Sequence, residues 1–578
     1  MKLIKYLKPY WFIALMTPLF MVIEVVVDLI QPKLMSKIVD EGVLAGNMEL
    51  IISTGITMML FVILGGIGGI GSAAFSSATS QSFAMDLRND VFQKTMHLSF
   101  QQTDKFTTGS LVTRLTNDIT MVQNLVNQIL RMMVRTGMLF VGGIFMVLSL
   151  NVKFGLVLAA VLPLQALGTY IVLKKGSPLF KVVQKKLDKV NAVVQENVSG
   201  ARVVKAYTRE EHEKERFYDA NEDLIGITMK VQKLMATAMP LLSILMNVTV
   251  LLIIYMGGLQ VQAREMQVGE VMAAVTYISQ ILHGVMMFSM MFQVFSRAAA
   301  SASRLIEVLD TEPVIHDGKL SLPSGEGEKG SICFENASFH YPNTTGRPVL
   351  QGINLEVHPG EMVAVLGATG SGKSSLVNLI PRFYDTTEGR VLVDGVDVKE
   401  YSLDGLRKKV GMVLQTSELF AGTILDNIRW GNEDATEEEV IAAAKIAQAD
   451  DFIQSFPDGY HTQITQKGAS LSGGQKQRLS IARAILKKPE ILVFDDSTSA
   501  LDLGTEARLQ KAMRQGLKGT TIVMIAQRVA SVMGADRIAV IENGTIADCG
   551  SHYELLERSP LYQDIYNSQI RKGEVGNE

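Results

Sequence analysis

The stretch Gly367-Ala-Thr-Gly-Ser-Gly-Lys373-Ser374 sets three glycines, a lysine and hydroxyl residues close together in the chain. This G-x-x-x-x-G-K-[ST] pattern suits one chemistry above others, the holding of a phosphate chain. Glycines let successive backbone amides wrap phosphate oxygens, and a helix that starts at the end of the loop adds partial positive charge. On this reading Gly367, Gly370, Ser371 and Gly372 form the cradle, with Ser375 beside it. Lys373 reaches the β- and γ-phosphates of a nucleotide, and the Ser374 hydroxyl ligates Mg²⁺. The strand-like MVAVL before the loop and the helix-like SSLVNLIPRF after it are the context the motif requires, and they argue against a chance glycine-rich turn.

Further along, Ile491-Leu-Val-Phe-Asp495 reads as a buried strand that ends in an acid. Asp495 there can hold the Mg²⁺ of a bound nucleotide through water. Apolar strands often end in Asp, so the pattern gains meaning only from the phosphate loop upstream. Between the two lies Leu471-Ser-Gly-Gly-Gln475, followed by KQRLSIARAIL with apolar residues at helical spacing. Ser472, Gly473, Gly474 and Gln475 therefore form either a plain helix cap or a second anion-binding helix terminus.

The elements that must carry these residues fall into two unlike parts. The chain has 578 residues, 47% hydrophobic and 20% charged, with mean hydropathy +0.21. That length predicts three or four domain-sized units, and the low charge leans towards a membrane protein. A net charge of −3 argues against a protein that coats nucleic acid, and no nucleic-acid partner is expected. Two cysteines, Cys333 and Cys549, exclude a disulfide framework, and with 8 scattered histidines they exclude a metal cluster.

Nearly all long apolar runs lie in residues 1–300, and 330–578 reads as an ordinary soluble domain. Spans are predicted near 11–31, 52–79, 133–150, 154–174, 236–257 and 270–295, since about 20 residues of helix cross a bilayer core. The second span, with GGIGGIGSAAFSSA, predicts close helix packing through small residues. Lys2, Lys5 and Lys8 precede a long apolar stretch without a small-residue cleavage site, so the N-terminus is not expected to be a removable signal. Residues 174–235 hold 13 Lys/Arg, whereas 258–269 hold only Arg264, which orients the long loops and both termini to the cytoplasm. Residues 80–132 and 175–235 keep helical periodicity and project beyond the bilayer, with turns expected near 104–110 and 208–216. The resulting domains are a transmembrane domain at 1–309, a linker at 310–330 and a nucleotide-binding domain at 331–578.

Phosphate loop, LSGGQ and apolar-strand Asp in this order resemble the ATP-binding cassette family, and six spans before one cassette resemble a half-size exporter of that family. The resemblance covers the whole chain and implies a six-helix, all-α transmembrane domain followed by an α/β P-loop domain. It further implies ATP and Mg²⁺ as ligands and a multi-pass plasma-membrane location. Tyr341 resembles the aromatic that stacks on adenine, a strand-end core tyrosine being the alternative, and Gln415 resembles the glutamine that senses Mg²⁺. Ser499-Ala-Leu-Asp502 resembles the segment that crosses a dimer interface, and the two loop turns resemble coupling helices. In the family two cassettes close head to tail, each ATP lying between one phosphate loop and the partner's LSGGQ.

Two positions depart from the family pattern. Asp496 stands where the family has a general-base Glu, and Gln527 stands where it has a switch His. The shorter side chain withdraws the carboxylate by about 1.5 Å, and a misplacement near 1 Å can cost about 10²-fold in rate. Glutamine cannot take up a proton. The expected protein is therefore an ATP-hydrolysing exporter subunit, similar to one subunit of bacterial heterodimeric multidrug exporters. Its own site is slow, its LSGGQ is intact, and its partner half-transporter supplies a Glu and a His. A lipid flippase and an ATP-gated channel or regulatory subunit are the competing readings.

Membrane lipid and a hydrophobic or amphipathic small-molecule substrate are the remaining expected partners. Met286, Met287, Met290, Met291 and Phe292 on the sixth span are either an adaptable substrate surface or ordinary packing residues. Glu24 and Asp28, an i, i+4 acidic pair in the first span, either bias a cavity towards cations or form a structural pair.

Overall fold

The computed structural model describes residues 2–320, 329–342, 344, 346–465, 468 and 470–574; the side chains of Ser289, Met290, Phe292, Gln293 and residues 570–574 are outside the description. Part of the expected linker, 321–328, thus lies outside the described residues, as do the side chains of Met290 and Phe292 from the methionine-rich run. The chain divides into two compact units, Met1–Met96 with Thr108–Thr311, and His97–Thr107 with Glu312–Glu578.

The first unit is helical. Among the described residues, six helices are long and apolar enough to cross a membrane: Lys2–Val43, Met48–Met96, Thr108–Leu150, Val152–Ser199, Glu210–Gln262 and Val268–Phe288, the last continuing to Asp310. The protein is a multi-pass membrane protein. The 49-residue second helix rises about 70 Å, well beyond the ~30 Å of a hydrocarbon core. Its small residues let the first helix approach closely. A Cβ at Gly68 would lie 2.9 Å from the Phe20 carbonyl and Glu24 amide, and one at Gly71 would meet the Phe20 ring at 2.4 Å. Phe154, Tyr277 and Ile281 are fully buried in the core of this unit, and the Tyr277 hydroxyl donates to the Leu29 carbonyl at 2.6 Å.

Charged residues inside the bundle find partners on other helices. Arg135 on the third helix meets Glu24 at 3.3 Å and Asp28 at 2.9 Å on the first. The acidic pair is thus neutralised in part within its own chain. Asp118, with a side chain 3% exposed, accepts from Arg304 and from the Ser301 hydroxyl, tying the third helix to the sixth.

The chain reverses within the stretches expected to turn, 104–110 and 208–216, with a short helix just before each reversal. Between the second and third helices, Ser99 caps a short helix, Phe100–Phe106, and the chain then reverses at Thr107 with φ 57°. The second reversal uses the short helix Ala201–Ala206 and Thr208 at φ 52°, so residues 210–216 already belong to the fifth long helix. Glu210, Glu211 and Glu213 occupy that helix's first turn, where the helix dipole favours acids.

The second unit contains two main sheets. Strands β1 (Ile332–Phe339), β2 (Leu350–Val357), β4 (Glu388–Val393) and β5 (Val396–Asp397) form an antiparallel sheet in the order β2-β1-β4-β5. Strands β3 (Met362–Gly367), β6 (Val410–Val413), β9 (Ile491–Phe494), β10 (Thr521–Ile525), β11 (Arg537–Glu542) and β12 (Thr545–Gly550) form the other, in the order β12-β11-β3-β10-β9-β6. All its pairings are parallel except β11 with β12. A two-residue pair, β7 (Gly422–Thr423) with β8 (Gln463–Ile464), stands apart. Every residue of β9 and β10 is buried, as an interior parallel strand requires.

The segment 97–107 joins this unit through side chains. Phe100 packs on Phe383 with ring centroids 4.3 Å apart, Gln102 hydrogen-bonds the Glu312 carbonyl, and Tyr384 hydrogen-bonds Asp104.

Candidate functional site

Sheet order β3-β10-β9-β6 brings together four strand ends that are distant in sequence. The phosphate loop leaves β3, Gln527 follows β10, Asp495 and Asp496 follow β9, and Gln415 follows β6. In an open parallel sheet the carboxyl ends of the strands are where ligands bind. A cavity of about 350 Å³ opens there, lined by Tyr341, Gly370, Gly372, Lys373, Ser374, Ser375, Gln415, Asp496 and Gln527. Val349, Thr369 and Ile525 complete the wall. Nothing in the types of Val349 and Ile525 marks them in the sequence, whereas Thr369 was within reach as a loop position of the motif.

The loop geometry is that of a cradle. Gly370 and Gly372 take φ 85° and 100°, a region open to glycine at little cost, and a Cβ at Gly372 would lie 2.8 Å from the Val349 carbonyl. A Cβ at Gly367 would strike the Ile541 carbonyl at 2.3 Å. Lys373 is buried and its ammonium donates to the carbonyls of Gly367 at 2.9 Å and Ala368 at 2.8 Å. Burial pushes its pKa down, with Asp496 and Asp495 opposing. The Ser371 hydroxyl is buried without a partner. A cradle with a buried cation and an unanswered hydroxyl fits a phosphate chain.

Two oxygens beside the loop fit a magnesium ion. The Ser374 hydroxyl donates to Asp495 at 2.6 Å, so the two oxygens converge on one spot. Burial, more than the neighbouring Asp496, raises the Asp495 carboxyl above its ordinary range, and a divalent cation would favour its charged form. Gln415 Nε2 lies 3.4 Å from Asp496 Oδ2. Among the described residues no group of three or more His, Cys, Asp or Glu could hold a metal ion; magnesium here would share its ligands with the nucleotide's phosphates.

Asp496 and Gln527 make direct contact. The Gln527 amide donates to Asp496 Oδ2 at 2.7 Å. Asp496 is buried and adopts φ 48°, a strained conformation for a residue with a side chain, and the sequence carries no signal for it. Tyr341 donates to or accepts from the Ser375 hydroxyl at 3.0 Å and packs edge-on against Phe339 and Tyr384.

Ser472, Gly473, Gly474 and Gln475 do not line the cavity. Ser472 caps the helix Gly473–Leu486, and the Ser472 amide donates to Gln475 Oε1 at 2.9 Å. Gly474 lies under the 499–502 segment, where an added Cβ would approach the Ala500 carbonyl at 3.1 Å. Ser499 donates to the Asp496 carbonyl at 3.0 Å, and Asp502 caps the next helix. In the helical unit an apolar cavity of about 550 Å³ involves Pro32, Met35, Ile254 and the sixth helix at Val268–Thr276; among the described residues Met286, Met287 and Met291 do not line it.

Six membrane-crossing helices joined to an α/β domain with this phosphate cradle define a class, the membrane proteins that carry a nucleotide-binding domain. Comparison with known proteins places the chain within it. The ABC transporter transmembrane region matches residues 14–285, and the ABC transporter domain matches residues 350–499. A Bacillus subtilis (strain 168) protein described as uncharacterized ABC transporter ATP-binding protein YfiB is 41% identical over 578 residues, covering 100% of this chain and 99% of the relative. The ATP-dependent lipid A-core flippase of Syntrophus aciditrophicus (strain SB) is 34% identical over 526 residues, 90% of this chain and 86% of that protein. A solved structure of a bacterial Atm1-family ABC exporter with ATP bound aligns with a TM-score of 0.79 at 26% identity, covering 96% of this chain and 98% of that one. The chain belongs to the ATP-binding cassette transporter family, among its exporters, with one transmembrane region and one cassette as in a half-transporter.

Proposed function

We propose that this chain is one half of a heterodimeric exporter of hydrophobic or amphipathic compounds, and that its own nucleotide site binds Mg-ATP but splits it slowly. The observation that carries the reading is the 2.7 Å bond from Gln527 to Asp496. The carboxylate oxygen of the acid at the general-base position is engaged by an amide, on a side chain one carbon shorter than Glu. The bond draws basicity from the oxygen it engages and fixes the direction of the shorter carboxylate, and a general base must lie within reach of the proton it abstracts. Lys373, Ser374, Asp495, Gln415 and Tyr341 support binding of the nucleotide, its metal and its base, with Gly367, Gly370, Ser371, Gly372 and Ser375 holding the phosphates. ATP bound there supplies the free energy that closes a cassette dimer.

Ser472, Gly473, Gly474 and Gln475 lie away from this cavity on an unaltered capped helix, which supports their service to a partner's site. The partner then carries the Glu and the His that are absent here, and both chains have their termini in the cytoplasm. The test is reciprocal. Asp496→Gln should barely lower ATPase of the complex, whereas Ser472→Arg should nearly abolish it. Full substrate-stimulated ATPase from the purified single chain as a homodimer would overturn the heterodimer.

For the substrate, a second reading is a lipid headgroup with its acyl chains. The relative named as a lipid A-core flippase favours it. Lipid translocation by reconstituted complex, without accumulation of hydrophobic cations in inside-out vesicles, would select the lipid over the drug. A current without accumulation of either would select a channel.

A further inference from the structure

We propose that Gln569, on the C-terminal helix Pro560–Glu574, is a positioning residue for the nucleotide site: it fixes the loop that aims Gln527 at Asp496, and so sets how well the site distinguishes a nucleoside triphosphate from a diphosphate. The inference rests on the reading above, in which Asp496 and Gln527 face the end of the phosphate chain.

The contacts are specific. Gln569 Oε1 accepts the Val529 amide at 2.7 Å, and Gln569 Nε2 donates to the Gln527 carbonyl at 2.9 Å. One side-chain amide thus grips the main chain on both sides of Arg528, closing a ring much as a neighbouring strand would. The residue so held donates in turn to Asp496 at 2.7 Å.

The loop needs this grip because packing is missing beside it. A second cavity, of about 420 Å³, lies between the phosphate loop and the C-terminal helix and is lined by Gly370, Ser371, Gln527, Leu561, Ile565 and Gln569 among others. On that side Gln527 meets open space. The anchor of the helix itself is sound. Val529 and Val532 share a core with Leu555 and the fully buried Tyr562, and Ile565 and Tyr566 pack against it. The helix therefore presents Gln569 from a packed base, and its amide replaces the missing wall for Gln527.

Two hydrogen bonds at a hinge act on position more than on stability, since supporting contacts set the aim of a side chain that meets the ligand. A diphosphate ends short of Asp496 and Gln527, and a triphosphate extends to them. Loss of the grip should therefore weaken triphosphate binding selectively. Nothing in the sequence singles out Gln569, which is one polar residue on a polar helix, far from Gln527 in the chain.

The experiment measures dissociation constants of Mg·AMP-PNP and ADP on the purified full-length chain in lipid nanodiscs. Gln569→Ala should weaken AMP-PNP binding about three- to tenfold and leave ADP binding within about twofold, the worth of one or two net hydrogen bonds. Gln569→Glu keeps the acceptor for Val529 and loses the donor to Gln527, so its effect should be intermediate. Gln527→Ala should reproduce the loss, and the double variant should add nothing to it. Equal weakening of both ligands by Gln569→Ala would mean a merely structural role and overturn the proposal. So would an unchanged ratio while Gln527→Ala lowers it, with the reading of the site left standing. If neither variant alters the ratio, the assignment of Gln527 to the phosphate end fails, and the proposal falls with it.

Discussion

The Tyr384 hydroxyl donates to the Asp104 carboxylate at 3.0 Å. Asp104 lies on the short helix between the second and third membrane helices in sequence, and Tyr384 stands edge-on, centroids 5.5 Å apart, to Tyr341, which lines the cavity beside the phosphate loop. Burial first, then Asp104, pushes the Tyr384 phenol well above its ordinary range, so it stays a donor at any physiological pH. Tyr384→Phe keeps the ring and removes the bond. It should lower transported substrate per ATP about three- to tenfold while ATP affinity stays unchanged. A loss of ATP affinity with coupling intact would confine Tyr384 to the nucleotide pocket.

Lys373 holds a buried positive charge whose ammonium donates to two carbonyls. Lys373→Ala should weaken triphosphate binding at least about tenfold, the range for a charge-assisted contact. Chelation of Mg²⁺ should produce a comparable loss in the parent protein, and a smaller one in Asp495→Asn, which has already lost its carboxylate. Equilibrium binding of a fluorescent ATP analogue reads all three.

If the contact between Gln527 and Asp496 limits hydrolysis, restoring both positions should release it. Asp496→Glu with Gln527→His should raise the ATPase rate of the purified single chain by about 10- to 100-fold. Either change alone should do less, because the remaining partner is still misplaced or still without a proton to exchange. An unaltered rate in the double variant would place the defect elsewhere.

Arg135 serves Glu24 and Asp28 together. Arg135→Met leaves two acids in the bundle without a cation, an arrangement costly inside a membrane. Its melting temperature in detergent should fall clearly, and adding Glu24→Gln and Asp28→Asn should recover most of the loss. If the triple variant keeps its preference for cations over neutral compounds, the acids are structural. If that preference is lost, they belong to the substrate path.

His552 is buried, with Nδ1 2.7 Å from the Tyr562 hydroxyl. Burial holds its pKa below the usual 6.5. The unfolded chain then binds the extra proton, so the contribution to stability is whole above about pH 6.5 and declines as pH falls through that value. Thermal unfolding of the cassette should shift to lower temperature on acidification, and His552→Gln should flatten the shift. A parent profile equal to that of His552→Gln would remove the imidazole as its source.

Sequence alone determined the six spans, because a run of apolar side chains long enough to cross a bilayer has few other uses. It also determined the phosphate loop, since positive φ at Gly370 and Gly372 leaves little choice of residue, and the close packing of Gly68 and Gly71 on the first helix, because only small residues permit it. Tertiary structure alone decided what meets what. That Arg135 answers Glu24 and Asp28, that Tyr384 reaches Asp104, and that Gln569 grips the Gln527 loop are facts of pairing between residues far apart in the chain. Type and spacing carry no record of such partners. The same holds for the contact of Gln527 with Asp496, which exists because β10 lies beside β9 in the sheet, so that the residues following those two strands meet. Local patterns write themselves into sequence through the periodicity of helix, strand and turn. Sheet order and side-chain pairing are settled by packing of the whole domain.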